Sequence, residues 1–81
     1  GIVIAEDFRR KGIGNLALQM LVEHCFDYLG MHQLYAYIDV TNEPSRHLFK
    51  QCGFEECALL KDWMRMGKSY RDVVMVQLLN R

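Results

Sequence analysis

Two hydrophobic periods alternate along this chain, and their order constrains the fold more than any other feature of the sequence. From Ile13 to Leu29 the apolar side chains recur at helical spacing, whereas from Leu34 to Val40 they alternate with polar ones as in a strand. The predicted order is strand, helix, strand, helix, strand, strand, over residues 1–4, 13–29, 34–40, 42–53, 54–66 and 70–79. We therefore predict an α/β unit with a mixed sheet that ends in an antiparallel hairpin.

The composition is that of a folded globular domain, and it excludes several classes of function. With 51% hydrophobic residues among 81, the chain is too apolar to be disordered, yet no apolar run approaches the ~20 residues of a membrane span. Ten basic and ten acidic side chains balance, so we expect no nucleic-acid partner and no membrane partner. The three cysteines form no CxxC pair and no residue set has metal-ligand spacing, so we expect reduced thiols, a cytoplasmic setting and no metal.

A basic loop with two glycines, between the first strand and the first helix, is the clearest local indication of a binding site. Arg9, Arg10 and Lys11 lead directly into Gly12-Ile13-Gly14. Glycine lets a ligand approach the backbone closely, and a helix N-terminus offers unpaired N–H groups at the positive end of the helix dipole. The pattern predicts a cradle for an anion such as a phosphate, while a plain tight turn is the simpler alternative.

Two known phosphate motifs fit this loop poorly. A P-loop needs Lys and then Ser or Thr after its last glycine, but Asn15 and Leu16 follow Gly14 here. The dinucleotide fingerprint GxGxxG/A is formally met by Gly12, Gly14 and Ala17, yet a polar segment separates it from the strand. Its acidic partner would be Asp39, which lies inside a strand and slightly late. A dinucleotide-binding module stays as a less favoured alternative.

Three segments, in order and at the right spacing, resemble the GNAT superfamily of acyl-CoA-dependent N-acetyltransferases. They are Arg9-x-x-Gly12-x-Gly14, then Asn42-Glu-Pro-Ser45-Arg-His-Leu-Phe49-Lys-Gln-Cys-Gly53-Phe54, and finally Gly67-Lys-Ser-Tyr70-Arg-Asp72. The last is similar to the branch that includes spermidine N-acetyltransferases and Rim-type protein N-terminal acetyltransferases. The resemblance implies that residues 1–81 form the C-terminal half of a GNAT domain, without its N-terminal half.

The resemblance also implies a set of residues that bind acetyl-CoA. In the family, backbone N–H groups of the glycine loop hold the pyrophosphate, and the pantetheine arm lies along the preceding strand. In the family, an asparagine side chain and an aromatic residue of the second helix contact the same arm. The corresponding residues are Arg9, Arg10, Lys11, Gly12, Ile13, Gly14 and Asn15 for the pyrophosphate, and Ile2, Val3, Ile4, Asn42 and Phe49 for the pantetheine.

The expected chemistry is direct attack of a primary amine on the thioester, with an acid or water protonating the leaving thiolate. Many family members carry Tyr as that acid, but Phe49 stands at this position and has no proton to donate. Ser45, one turn earlier on the same helix face, is the substitute donor that the resemblance implies. A hydroxyl bonded within its own helix is the simpler interpretation of Ser45. No general base is assigned, and the acceptor is a small-molecule or peptide amine.

A chain that begins within a strand leads us to expect a fragment, and therefore self-association. The long helix carries two apolar stripes, more than one sheet face can cover. We expect a homodimer or higher oligomer, with residues 2–4 and 73–79 near the contact. The alternative to an active enzyme is thus a non-catalytic CoA-binding fragment that is held together by its copies.

Overall fold

The computed structural model describes the backbone of residues 2–4 and the backbone and side chains of residues 14–81. These described residues build four strands and two helices, and the α/β class predicted from the sequence is confirmed. In chain order the elements are β1 (Ile2–Ile4), α1 (Asn15–Glu23, continued by a π-helical turn over His24–Tyr28), β2 (Gln33–Asp39), α2 (Glu43–Gln51), β3 (Glu55–Met66) and β4 (Ser69–Leu79).

The strands form one sheet in the order β1-β2-β4-β3. β1 pairs with β2 in parallel, with Ile2 opposite Leu34, and the β2–β4 and β4–β3 pairs are antiparallel. The predicted hairpin is confirmed, with its turn at Gly67 in the left-handed region at φ +67°. Residues 73–77 of β4 are paired on both sides, so this part of the strand has no free edge. The predicted place of residues 73–79 near a contact between copies stays a prediction. The free edge on that side of the sheet is β3.

One face of the sheet carries the core of the part of the chain that the structure describes. Leu34, Ala36 and Ile38 alternate inward from β2, as their spacing predicts, and pack with Val74 and Val76 of β4. The helices cover this layer with Leu18, Cys25 and Phe49. The start of α1 lies beside the end of α2, where Asn15 contacts Gln51 and Cys52.

The first helix departs from its prediction in two ways. Its described part begins at Asn15, and its last turn widens into a π-helix before Gly30, at φ +66°, ends it. The sequence pattern places His24 on an apolar stripe, but His24 is exposed and stacks on Tyr28. Only one of the two apolar stripes is covered, since Leu16 stays 69% exposed. No helix in the described ranges has the length and apolar character needed to cross a membrane.

The hairpin strand β3 is irregular at two points. Its register against β4 shifts between Glu56 and Ala58 and again between Leu60 and Met64. Within the second shift Asp62 has φ +48°, a left-handed conformation that costs a residue with a side chain free energy. The Asp62 backbone N–H donates to the Asp72 carboxylate at 2.9 Å, so β4 itself stabilises this bulge.

Candidate functional site

The N-terminus of α1 lacks the cap that most helices carry. Gly14 stands at the cap position in an extended conformation, and among the described residues no side chain bonds to the first-turn N–H groups. The first turn also has no acidic residue. Its N–H groups and the positive end of the helix dipole are thus available to an anion, as the glycine loop predicts.

The space around Gly14 is open. A Cβ atom built on this residue would meet no described atom within 4 Å, and its φ of −91° suits any residue. The fold therefore does not require glycine here, whereas a ligand lying against the backbone would. The predicted residues Arg9, Arg10, Lys11, Gly12 and Ile13 lie outside the described residues, as do the side chains of Ile2, Val3 and Ile4.

The side chain of Asn15 joins the start of α1 to the end of α2. Its oxygen accepts from Gln19, and its amide donates to Gln51 Oε1 at 3.4 Å. The Cys52 thiol lies 3.8 Å from the Asn15 carbonyl oxygen. Burial raises the pKa of Cys52, which keeps the thiol protonated and argues against a nucleophile there. The predicted role of Asn15, binding of the pyrophosphate, therefore falls to its backbone N–H group.

Asn42 caps α2, as its place before Glu43 and Pro44 predicts. Its Oδ1 accepts from the Ser45 N–H at 3.2 Å, and the proline occupies the first turn. The cap uses only the oxygen of the side chain. In the described chain the Asn42 amide nitrogen has no hydrogen-bond partner, so the residue can cap the helix and still donate to a ligand.

Ser45 and Phe49 share the inward face of α2, as their spacing predicts. Ser45 is only 7% exposed, and within residues 14–81 its hydroxyl makes no hydrogen bond. Phe49 is 1% exposed and packs edge-on against Phe54, with ring centroids 5.0 Å apart. A buried hydroxyl without a partner costs free energy, and a ligand group reaching Ser45 would recover it.

An ion pair that the sequence pattern did not single out fixes the position of α2. Arg46 donates twice to Glu56, at 2.8 Å each, and once to the Val40 carbonyl at 2.9 Å. The guanidinium hydrogen bonds lower the pKa of Glu56, and the carboxylate in turn raises the pKa of Arg46. The sequence shows only an arginine inside the Asn42–Phe54 segment and a glutamate just beyond it. The fold brings the two side chains together.

The loop after β2 is held by a second charged group. The Thr41 N–H and hydroxyl donate to Asp39 Oδ1 at 2.9 and 2.8 Å, and Arg71 approaches the other carboxylate oxygen at 3.5 Å. Asp39, the acidic residue of the dinucleotide alternative, is thus engaged in holding its own loop. This arrangement speaks against a role for Asp39 on a ribose.

A cleft opens beside this loop and next to the cap of α2. Its lining residues come from the loop and from the hairpin, and they are Asp39, Thr41, Asn42, Pro44, Met64, Met66 and Arg71. Across residues 14–81 no three His, Cys, Asp or Glu side chains are grouped so as to hold a metal ion. The site therefore consists of an open helix end, an unbonded hydroxyl and amide, and a partly apolar cleft.

Comparison with known sequences identifies relatives among acetyltransferases. The acetyltransferase (GNAT) family profile matches residues 1–54. The chain is 30% identical over 79 residues to a spermidine N(1)-acetyltransferase of Vibrio cholerae, covering 96% of this chain and 45% of that protein. It is also 30% identical over 67 residues to an N-alpha-acetyltransferase of Sulfurisphaera tokodaii, covering 83% of this chain and 40% of that protein. The chain thus spans about half the length of these relatives or less.

Solved structures give the same result for the fold. A chimera built on the Vibrio cholerae spermidine N-acetyltransferase SpeG superposes with a TM-score of 0.80 at 28% identity, covering 94% of this chain and 46% of that one. A dodecameric structure of spermidine N-acetyltransferase from the same organism superposes with a TM-score of 0.78 at 28% identity, over 94% of this chain and 44% of that one. The strand and helix arrangement described above is therefore similar to the fold of these enzymes.

Proposed function

The chain belongs to the GNAT acetyltransferase family, and we propose that it is the acetyl-CoA-binding half of an N-acetyltransferase domain. In this proposal residues 1–81 correspond to the C-terminal half of that domain. The observation that carries it is the uncapped N-terminus of α1, which directly follows the Arg9–Gly14 motif. A free helix end after a basic, glycine-containing loop is a site for a pyrophosphate.

The proposed path of the CoA follows from the order of the elements. The pyrophosphate binds at the backbone of residues 10–15, with Arg9 adding positive charge. The pantetheine arm runs along β1 and bonds to its backbone like an additional strand. The unbonded amide of Asn42 donates to that arm, and Phe49 supports it from the inward face of α2.

In the proposed reaction, acetyl-CoA supplies the acetyl group as a thioester. A primary amine, after losing a proton, forms the new C–N bond while the C–S bond breaks and the electron pair leaves on the CoA sulfur. The Ser45 hydroxyl, buried and unbonded in the described chain, donates the hydrogen bond or proton that this sulfur needs. Phe49 cannot do so, because its ring carries no acidic hydrogen.

A primary amine is the acceptor class that the relatives support. Two of them are named for spermidine and for N-alpha acetylation, and both names describe amine acylation. We also propose a reducing, cytoplasmic setting, because all three cysteines are free thiols. The parent domain is thus proposed to be an enzyme that uses acetyl-CoA as cosubstrate, with no metal.

Calorimetric titration of the chain with CoA and, separately, with NAD tests the proposal. We expect saturable CoA binding and none by NAD, because the loop lacks the acidic ribose partner of a dinucleotide site. Gly14→Val should abolish CoA binding by blocking the backbone, whereas Ala58→Val, which also introduces a β-branched side chain but on exposed β3, should leave it unchanged. Binding of NAD in preference to CoA would establish the dinucleotide alternative and refute the proposal.

A second candidate is a CoA-binding fragment that self-associates and has no activity of its own. It is favoured by the uncovered stripe of α1, where Leu16 and Met20 are 69% and 61% exposed. Exposed apolar side chains on one helix face attract another apolar surface, and a second copy of the chain offers the same one. Acetyl transfer to a primary amine by the isolated chain would eliminate this candidate.

A further inference from the structure

The sheet face opposite the helices is open and carries three aromatic rings. Tyr35 and Tyr37 alternate with the core residues of β2, so they point away from α1 and α2. Both remain half-buried, while Trp63 of β3 is 59% exposed. This face has no function in the proposed binding of CoA.

The three rings are in contact and form one surface, which we call the aromatic row. Tyr37 lies between the others, with its ring centroid 6.0 Å from Tyr35 and 6.2 Å from Trp63. The Tyr35 and Tyr37 rings are close to perpendicular, at 72°, and the Trp63 ring is tilted by 40° against Tyr37. The three rings are therefore not stacked parallel to one another.

The bulge in β3 places Trp63 in the aromatic row. Leu60 pairs with Val73 and Met64 with Arg71, so residues 61–63 of β3 stand opposite the single residue Asp72. The Asp72 carboxylate holds the Asp62 N–H at 2.9 Å and the Lys61 ammonium at 3.3 Å. A non-glycine residue at positive φ that is stabilised in this way suggests that the position of Trp63 serves a purpose.

We propose that the aromatic row binds an alkylammonium group of the amine acceptor through the faces of its rings. Aromatic faces carry partial negative charge and attract cations, most strongly at Trp and Tyr. Lys61, two residues before Trp63, and Arg71, on the neighbouring strand, are each paired with an aspartate, so their positive charges are compensated. The inference rests on the proposed function, because it names the charge state of that function's acceptor.

The chain contains a single tryptophan, which makes the test direct. The Trp63 indole N–H gives one signal in a ¹H–¹⁵N spectrum, to be followed in titrations with tetramethylammonium and with tert-butanol, a neutral molecule of similar shape. We expect a saturable shift with the cation and a shift about tenfold smaller with the alcohol at equal concentration, since the alcohol has a similar shape but no charge.

Variants assign the effect to the row. Tyr37→Leu should reduce the cation-induced shift about threefold or more. Tyr37→Phe, which keeps the aromatic ring, should leave the shift close to that of the unchanged chain. Tyr28→Leu removes an aromatic ring that is 79% exposed at the end of α1, outside the row, and should change nothing. Equal shifts with the cation and the alcohol, or an undiminished shift in Tyr37→Leu, would overturn the inference.

The test separates this inference from the proposed function. Trp63→Leu should lose binding of tetramethylammonium, as followed by calorimetry, and should retain the CoA affinity of the unchanged chain. If the chain without substitutions does not bind CoA but binds tetramethylammonium, the proposed function is refuted and the inference about the aromatic row stands. The reverse result would refute the aromatic row alone.

Discussion

The two helices of this chain begin in opposite ways. α2 begins with Asn42, whose side chain accepts from the Ser45 N–H, and it carries the acidic Glu43 in its first turn. α1 begins with Gly14, which has no side chain, and its first turn has no acidic residue. Within residues 14–81, side chains satisfy the N–H groups and the dipole at the start of α2 and leave those at the start of α1 free.

The difference shows which helix N-terminus is closed by the fold itself and which is open to an anion. α2 is held by its cap, by the burial of Phe49 and by the bonds from Arg46 to Glu56 and Val40. α1 is anchored by buried Leu18 and Cys25 and by the contacts of Asn15, while much of its outer surface stays apolar and exposed. Changes in α2 should therefore act on stability in addition to the proposed ligand contacts of Asn42, Ser45 and Phe49. Changes at the start of α1 should act on binding without loss of stability.

The largest expected effect is on the buried side of α2. Phe49→Ala should lower the free energy of unfolding by about 3–5 kcal/mol, because a fully buried ring is replaced by a cavity. Leu16→Ala on α1 is the matched control and should change it by less than about 0.5 kcal/mol. Urea unfolding followed by circular dichroism measures both, and similar losses in the two variants would break the comparison.

Removal of the cap should have a smaller effect. Asn42→Ala should cost about 1 kcal/mol of stability, since the Ser45 N–H loses its acceptor. Asn42→Asp, which keeps an acceptor oxygen, should retain most of the stability that the cap contributes. Gly14→Ala, at the corresponding position of α1, should leave stability within about 0.5 kcal/mol, because its Cβ meets open space. If Gly14→Ala lowers the free energy of unfolding as much as Asn42→Ala does, the fold depends on both helix N-termini alike.

Acid should weaken the attachment of α2 in a defined pH range. The folded-state pKa of Glu56 lies below its ordinary value of 4.5, so the ion pair stabilises the fold above that value. This contribution is lost as the pH falls through the lowered folded pKa. The difference in unfolding free energy between the unchanged chain and Glu56→Gln should therefore shrink as the pH falls below 4.5. A difference that stays constant with pH would exclude this role of Glu56.

The smallest effect on stability is expected on the exposed stripe of α1. Leu16→Ser should change the free energy of unfolding by less than about 0.5 kcal/mol but should shift self-association towards monomer. Leu59→Ser on β3, which is also about half exposed, is the matched control. Light scattering on a size-exclusion column decides between them. Dissociation by Leu59→Ser alone would move the contact from α1 to the free edge of the sheet.

Elements set by local residue choice could be predicted from the sequence. The alternation of Leu34, Ala36 and Ile38 predicted β2, and Asn42 with Pro44 predicted the start of α2. The inward face shared by Ser45 and Phe49 followed from their spacing. These features depend on neighbours within one helical turn or one strand, so the sequence carries them directly.

Features that depend on pairs distant along the chain could not be predicted in the same way. Arg46 and Glu56 meet only because α2 lies across β3, and Tyr37 meets Trp63 only because of the bulge at Asp62. The π-helical turn after Glu23 adds one residue to a hydrogen-bonded turn, a change that the apolar spacing of α1 does not record.

The central claim is that the start of α1 is an open anion site and the start of α2 is not. Titration with inorganic pyrophosphate, followed by backbone ¹H–¹⁵N spectra, tests it most directly. The account predicts saturable shifts of the Asn15 and Leu16 amides, whose helix end is uncapped, and no shift of the Ser45 amide, which is bonded to Asn42. Shifts of equal size at both helix ends, or a Ser45 shift alone, would contradict the account.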